Sequence, residues 1–295
     1  MTSFGTVLTA MVSPMHTDGS IDYDGAAVLA SHLVDLGNDG IVVNGTTGES
    51  PTTTDDEKAL LLQVVIEAVG DRATIVAGAG SNDTAHSIHL ATTAAKLGAQ
   101  GLLLVTPYYN KPPMAGVIKH FTTIADSTDL PVMLYDIPAR TGLPLDTPTL
   151  LTLGAHPRIK AVKDAKGDLE SVVDVIRQTD LEWYSGDDGL NLAFLSVGAS
   201  GFVSVTGHLV ADRLRQMIDA YRTGDVDGAQ RINEELQPVS TGLFRTQGAI
   251  LTKAALNELD LPAGTLRLPL IDATPDQIAQ LRRDLADGGV PGFTA

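Results

Sequence analysis

The sequence predicts a (β/α)8 barrel followed by a C-terminal helical extension. Three observations carry this. Eight short apolar runs recur, each ending in a turn or in small polar residues. Their starts lie roughly 20–35 residues apart, the length of a strand-plus-helix unit. Helix-period patterns fall between them. A doubly wound open sheet also alternates strands and helices. The barrel is preferred because there are eight units and no dinucleotide fingerprint: Gly78-Ala79-Gly80 opens like one, but position 83 is Asp.

The strand candidates are Thr6–Met15, Gly40–Gly45, Ala73–Gly80, Gly101–Pro107, Pro131–Pro138, Ile159–Ala165, Glu182–Asp188 and Gly201–Gly207. Between them, Asp55–Val69 places Ala59, Leu62, Val65, Ile66 and Val69 on one helical face. Thr84–Leu97 and Leu169–Gln178 show the same period. After Gly207 the strands stop. Leu209–Arg222 reads as the helix that closes the barrel, and Asp225–Ser240, Arg245–Glu258 and Thr274–Ala286 as helices of the extension. The turn Thr223-Gly224-Asp225 marks the seam, so residues 1–223 are assigned to the barrel and 224–295 to an extension packed on it.

Composition narrows the function. The 295 residues carry 36 acidic and 20 basic side chains, a formal charge of -16. Such a chain repels phosphate backbones and anionic lipid heads, so nucleic acid and membrane surfaces are not expected partners. There are no cysteines, which excludes disulfides, thiolate metal sites and a cysteine nucleophile. Met1 to Pro14 lacks the basic start of a signal peptide. No apolar run approaches the ~20 residues needed to cross a bilayer. The expectation is a soluble cytoplasmic protein.

Barrel active sites lie at the C-terminal ends of the strands. In the sixth strand Ile159, Ala161, Lys163 and Ala165 share a face, so Lys163 falls in the upper interior. Burial there favours the neutral amine, a nucleophile toward ketones. Tyr135, on the neighbouring fifth strand with Met133 and Ile137, is placed to meet it and move protons. After the second strand, Gly45-Thr46-Thr47-Gly48-Glu49-Ser50 offers two hydroxyls and several N–H groups to a carboxylate. Glu49 is expected to pair within that loop or cap a backbone donor. Tyr108 and Tyr109 follow the fourth strand; both cannot face one core. Arg140 follows the fifth, where its fork suits a substrate carboxylate. Ser185-Gly186-Asp187-Asp188 ends the seventh, and its paired aspartates speak against a phosphorylated sugar. His86 and His89 have ligand spacing on a helix, but no nearby carboxylate clearly completes a set, so no metal is expected.

Taken together, Gly45-Thr46-Thr47-Gly48-Glu49, Tyr108-Tyr109-Asn110-Lys111-Pro112, Tyr135-Asp136-Ile137-Pro138-Ala139-Arg140-Thr141-Gly142 and Val162-Lys163-Asp164-Ala165 resemble the signatures of the dihydrodipicolinate synthase family. The resemblance runs from about Thr6 to the end of the chain. It implies that Lys163 forms an imine with pyruvate and that the derived enamine attacks aspartate semialdehyde. It implies that Tyr135, Thr46 and Tyr109 relay protons, with Tyr109 serving a neighbouring subunit of a homotetramer built as a pair of dimers. It also implies that Thr47, Gly186 and Val203 help hold pyruvate, that Arg140 binds the semialdehyde carboxylate, and that no cofactor is needed. The second reading is a sibling pyruvate-dependent lyase acting on a sugar-derived 2-oxo acid. Paired threonines after Gly45, Arg140 and the Tyr-Tyr-Asn-Lys-Pro run favour the synthase. Lys58 and His86 stand where lysine-inhibited members contact lysine, and a cation there implies weak feedback.

Overall fold

The computed structural model describes residues 2–294. Eight parallel strands close into a barrel in chain order, β1 (Val7–Ala10), β2 (Gly40–Val43), β3 (Thr74–Gly78), β4 (Gly101–Val105), β5 (Val132–Asp136), β6 (Ile159–Asp164), β7 (Glu182–Ser185) and β8 (Gly201–Ser204). Closure is the pairing of Leu8 in β1 with Val203 in β8. Alternation along each strand makes two apolar layers. Leu8, Ala10, Val42, Val76, Leu103, Met133, Tyr135, Ala161, Tyr184 and Val203 fill the interior. Their neighbours, such as Ile41, Leu104, Leu134 and Trp183, pack outward beneath the helices.

Details of a strand and a helix depart from the patterns in the sequence. Ile159 does not share the interior face with Ala161; it packs in the outer layer. The register against β5 shifts between Val132 and Met133, so Val132 pairs with Ile159 and Met133 with Ala161. This bulge resets the alternation and still leaves Lys163 opposite Tyr135. In the helix Asp55–Val69 the buried face is Lys58, Leu61, Leu62, Val65 and Val69; Ala59 and Ile66 are only half-buried. A cation at an inward position breaks the apolar stripe that sequence periodicity looks for.

The barrel-closing helix runs Gly207–Thr223 and ends on Gly224, whose φ of 89° is the left-handed C-cap that glycine adopts without strain. Asp225 then caps Val226–Leu243 by accepting from Gly228 N. The next helix starts at Gly248 rather than Arg245. Arg245 is occupied elsewhere, forking onto Asp284 of the last helix, Pro275–Asp287. The extension reaches the barrel through a bridge between Met15 and Gly264 and through Arg267, which donates to Thr52 O at 2.8 Å and pairs with Glu57. Among the described residues no helix is long and apolar enough to cross a membrane.

Candidate active site

A cavity of about 970 Å³ opens at the C-terminal ends of the strands, walled by Thr46, Tyr135 and Arg140 at one end and by Lys58 and His86 at the other. Tyr135 lies on its wall. Lys163 sits behind, 4% exposed, with Nζ 4.3 Å from the centre of the Tyr135 ring. That contact follows from the β5–β6 register, which sets the two residues side by side. Burial draws the Lys163 ammonium down to about 8; Asp188 opposes this and Arg140 reinforces it. Near neutral pH an appreciable fraction is therefore the nucleophilic amine. Burial pushes the Tyr135 phenol up to about 12, against the pull of Arg140 and of the neighbouring Thr46 hydroxyl. The phenol stays protonated and can donate.

The Gly45–Ser50 turn is held by its own backbone. Gly48 N donates to Gly45 O, Glu49 N to Thr46 O and Ser50 N to Gly45 O. These amides are spent inside the turn, so the groups it has for a carboxylate centre on Thr46 and Thr47. Thr47 is buried and Thr46 half-buried. Of the two roles the sequence offers Glu49, pairing within the loop is not seen; it caps a backbone donor instead, accepting from Arg267 N at 3.0 Å. Its carboxylate lies 2.6 Å from Lys253 Nζ in the extension, both side chains 1% exposed.

Gly186 follows β7 directly beside the lysine. A Cβ there would lie 2.9 Å from both Cε and Cγ of Lys163, closer than such atoms approach. Gly186→Ala is expected to displace Lys163 and lower kcat roughly 10-fold or more, with little loss of melting temperature; steady-state kinetics with a thermal melt checks this. Val203 is part of the interior floor, 1% exposed. Arg140 is exposed on a single helical turn, Pro138–Thr141, closed by Gly142 at φ 72°.

Tyr109 does not join Tyr135 and Lys163 within the chain. It stands at the cavity rim, 90% exposed, with φ 74°, and Lys111 two residues on has φ 42°. Two non-glycine residues in left-handed conformation hold this loop in a strained shape, pinned by Asn110 donating to Asn82 O at 2.9 Å.

At the other end, a carboxylate does approach the histidines. Asp55, from the start of its helix, lies 3.0 Å from His86 Nε2 and 4.0 Å from His89 Nε2. Lys58 Nζ is 3.9 Å from the same carboxylate and donates to Thr53 O. The cation sharing Asp55 makes this an ion-pair cluster, and no group of three metal-ligating side chains is found among the described residues. It also supplies the negative charge that Lys58 and His86 alone lack in the sequence.

Asp188 is the residue the sequence undervalues. It is buried and accepts from Val205 N at 2.8 Å, Thr206 N at 2.9 Å, Ser204 Oγ and Asn191 Nδ2. It ties the ends of β7 and β8 together and places a fixed negative charge in the field of Lys163. The usable signal is a carboxylate one unit upstream of the hydroxyl-rich Ser204–Thr206 strand end.

This geometry has counterparts among known proteins. The chain matches the Dihydrodipicolinate synthetase family over residues 3–287. It is 61% identical over 289 residues to 4-hydroxy-tetrahydrodipicolinate synthase 2 of Streptomyces coelicolor, covering 98% of this chain and 97% of that one. Among solved structures it resembles a lysine-bound DHDPS from Cyanidioschyzon merolae, with a TM-score of 0.96 at 42% identity, over 98% of this chain and 99% of that one. It also resembles a chloride-inhibited dihydrodipicolinate synthase from Acinetobacter baumannii complexed with pyruvate, with a TM-score of 0.94 at 33% identity, over 97% and 99%.

Proposed function

The chain belongs to the dihydrodipicolinate synthetase family, and we propose that Lys163 is the amine on which its reaction runs. It is a lyase with 4-hydroxy-tetrahydrodipicolinate synthase activity, joining pyruvate to L-aspartate 4-semialdehyde in diaminopimelate and lysine biosynthesis. The sugar-acid lyase held as a second reading gives way to the activity its relatives share.

The neutral Nζ of Lys163 attacks the keto carbon of pyruvate, and loss of water leaves an imine. Loss of a methyl proton gives the enamine, whose carbon attacks the aldehyde of the semialdehyde. The amino group of that substrate then adds to the imine carbon, closes the ring and releases Lys163. Tyr135 gives and takes the protons of these steps, with Thr46 beside its phenol and Tyr109 completing the relay. The observation that carries this reading is the buried amine of Lys163, drawn down to about 8 against the ring of a protonated tyrosine.

Thr46 and Thr47 hold the pyruvate carboxylate, and Gly186 and Val203 shape the space beside it. Arg140, at the mouth, takes the semialdehyde carboxylate. Because Tyr109 stands exposed at the rim of the cavity, it is assigned to the site of a second copy, in a homotetramer of paired dimers working in the cytoplasm.

Substrate preference tests the reading. Pyruvate with aspartate semialdehyde is expected to turn over at least roughly 100-fold faster than any sugar-derived 2-oxo acid is cleaved. The reverse preference would sink the synthase assignment.

A further inference from the structure

The loop that bears Thr46 and Thr47 is closed by its own backbone hydrogen bonds, but few side chains tie it to the rest of the molecule. Its residues are small and polar, with glycine at 45 and 48, so side-chain packing cannot fix it in the way it fixes the strands. Two attachments remain. Ser13 Oγ donates to Gly48 O at 2.7 Å. The second is Glu49, which has φ 57° and turns its side chain toward the helix Gly248–Glu258.

Both polar partners of that carboxylate come from the extension. Oε1 lies 2.6 Å from Lys253 Nζ, and Oε2 accepts from Arg267 N at 3.0 Å. Lys253 Nζ also donates to Thr265 O at 2.6 Å. The Arg267 guanidinium continues the grip, donating to Thr52 O and to Gly19 O, each at 2.8 Å. Thr52 N in turn donates to Glu49 O at 3.0 Å. The extension thus holds the exit of the turn at Glu49 and at Thr52.

A buried ion pair is a poor way to gain stability, because desolvating two charges offsets most of their attraction. What it supplies is a single geometry: a carboxylate gripped by a lysine and a backbone amide has one place to sit. We propose that Glu49 and Lys253 are positioning residues for pyruvate: through them the C-terminal extension fixes the Thr46–Thr47 turn and sets the affinity for the pyruvate carboxylate. This rests on the functional reading above. Imine formation itself runs on Lys163 of β6 beside Tyr135 of β5, which the pair does not touch, so displacing the turn weakens the hold on the carboxylate before it affects the amine.

The test uses the full chain and pyruvate, with borohydride trapping followed as a function of pyruvate concentration. In Glu49→Gln and Lys253→Met the half-saturating pyruvate is expected to rise at least 10-fold, while the limiting trapping rate stays within about threefold of the native enzyme. A merely structural role would lower the melting temperature and leave this split absent. The double variant Glu49→Gln with Lys253→Met carries no lone buried charge, so it decides the matter if either single variant does not fold. Folding is checked by circular dichroism. Half-saturation within twofold of native in a folded variant overturns the proposal, as does a limiting rate that falls as steeply as the affinity. If the native enzyme gives no Lys163 adduct at all, the functional reading fails and takes this inference with it. A normal native adduct with unchanged variants removes the inference alone.

Discussion

Lys163→Met is expected to lower turnover by at least ~10³-fold, since the variant has no amine to form the imine. The same change is expected to make the protein more stable at pH 7. A lysine with an ordinary value of 10.5 is held at about 8 in the folded chain. Such a depressed lysine withholds stability below pH 8 and returns it as pH rises from about 8 to about 10.5. The gap corresponds to about 3 kcal/mol at neutral pH. Methionine fills similar space without a charge, and Asp188 keeps its four donors when the lysine is gone. A rise in Tm of roughly 5 °C is expected at pH 7, shrinking toward zero above pH 10. An inactive variant that melts lower than the native chain at pH 7 would show that Lys163 is held for structure rather than chemistry.

Tyr135→Phe is expected to lower kcat by roughly 10²–10⁴, the range for loss of a positioned proton donor. The ring remains, so its contact with Lys163 Nζ at 4.3 Å remains too. The loss is therefore assigned to the hydroxyl alone. Since the phenol lies at about 12, it is in its acid form at every pH where the enzyme is handled, and the defect is expected to be flat from pH 6 to pH 9. A defect that disappears at either end of that range would point to a different proton donor. Single-turnover and steady-state rates for Tyr135→Phe across this range make the check.

The fold is legible because a closed barrel repeats one local pattern eight times, and strand-end positions then mark the site. Lys163, Tyr135, Thr46 and Arg140 are candidates picked that way, each from its own short segment, and the fold sets Lys163 beside Tyr135. What escapes the sequence is non-local. Glu49 meets Lys253, 204 positions further along the chain, and no spacing rule joins a loop after β2 to a helix in the extension. Asp55 approaches His86 because two adjacent helices pack side by side. Asp188 reads in the sequence as half of an acidic pair that repels phosphate, yet it is buried and held by donors from the end of β8. Ile159 faces outward because a bulge, invisible in the residue pattern, resets the alternation against β5. Tyr109 is legible as one of a pair of tyrosines, but its direction depends on a left-handed backbone that the Tyr-Tyr-Asn-Lys run does not announce.

The imine on Lys163 is tested most directly by incubating the protein with pyruvate, reducing with borohydride and locating the adduct by peptide mass spectrometry. A pyruvate-derived mass on Lys163 is expected, with a trapping rate that rises with pH and levels off above about 8, where the amine has lost its proton. A folded protein that carries no adduct at Lys163, or carries it on another lysine, would contradict the mechanism and leave Lys163 a buried lysine in a barrel.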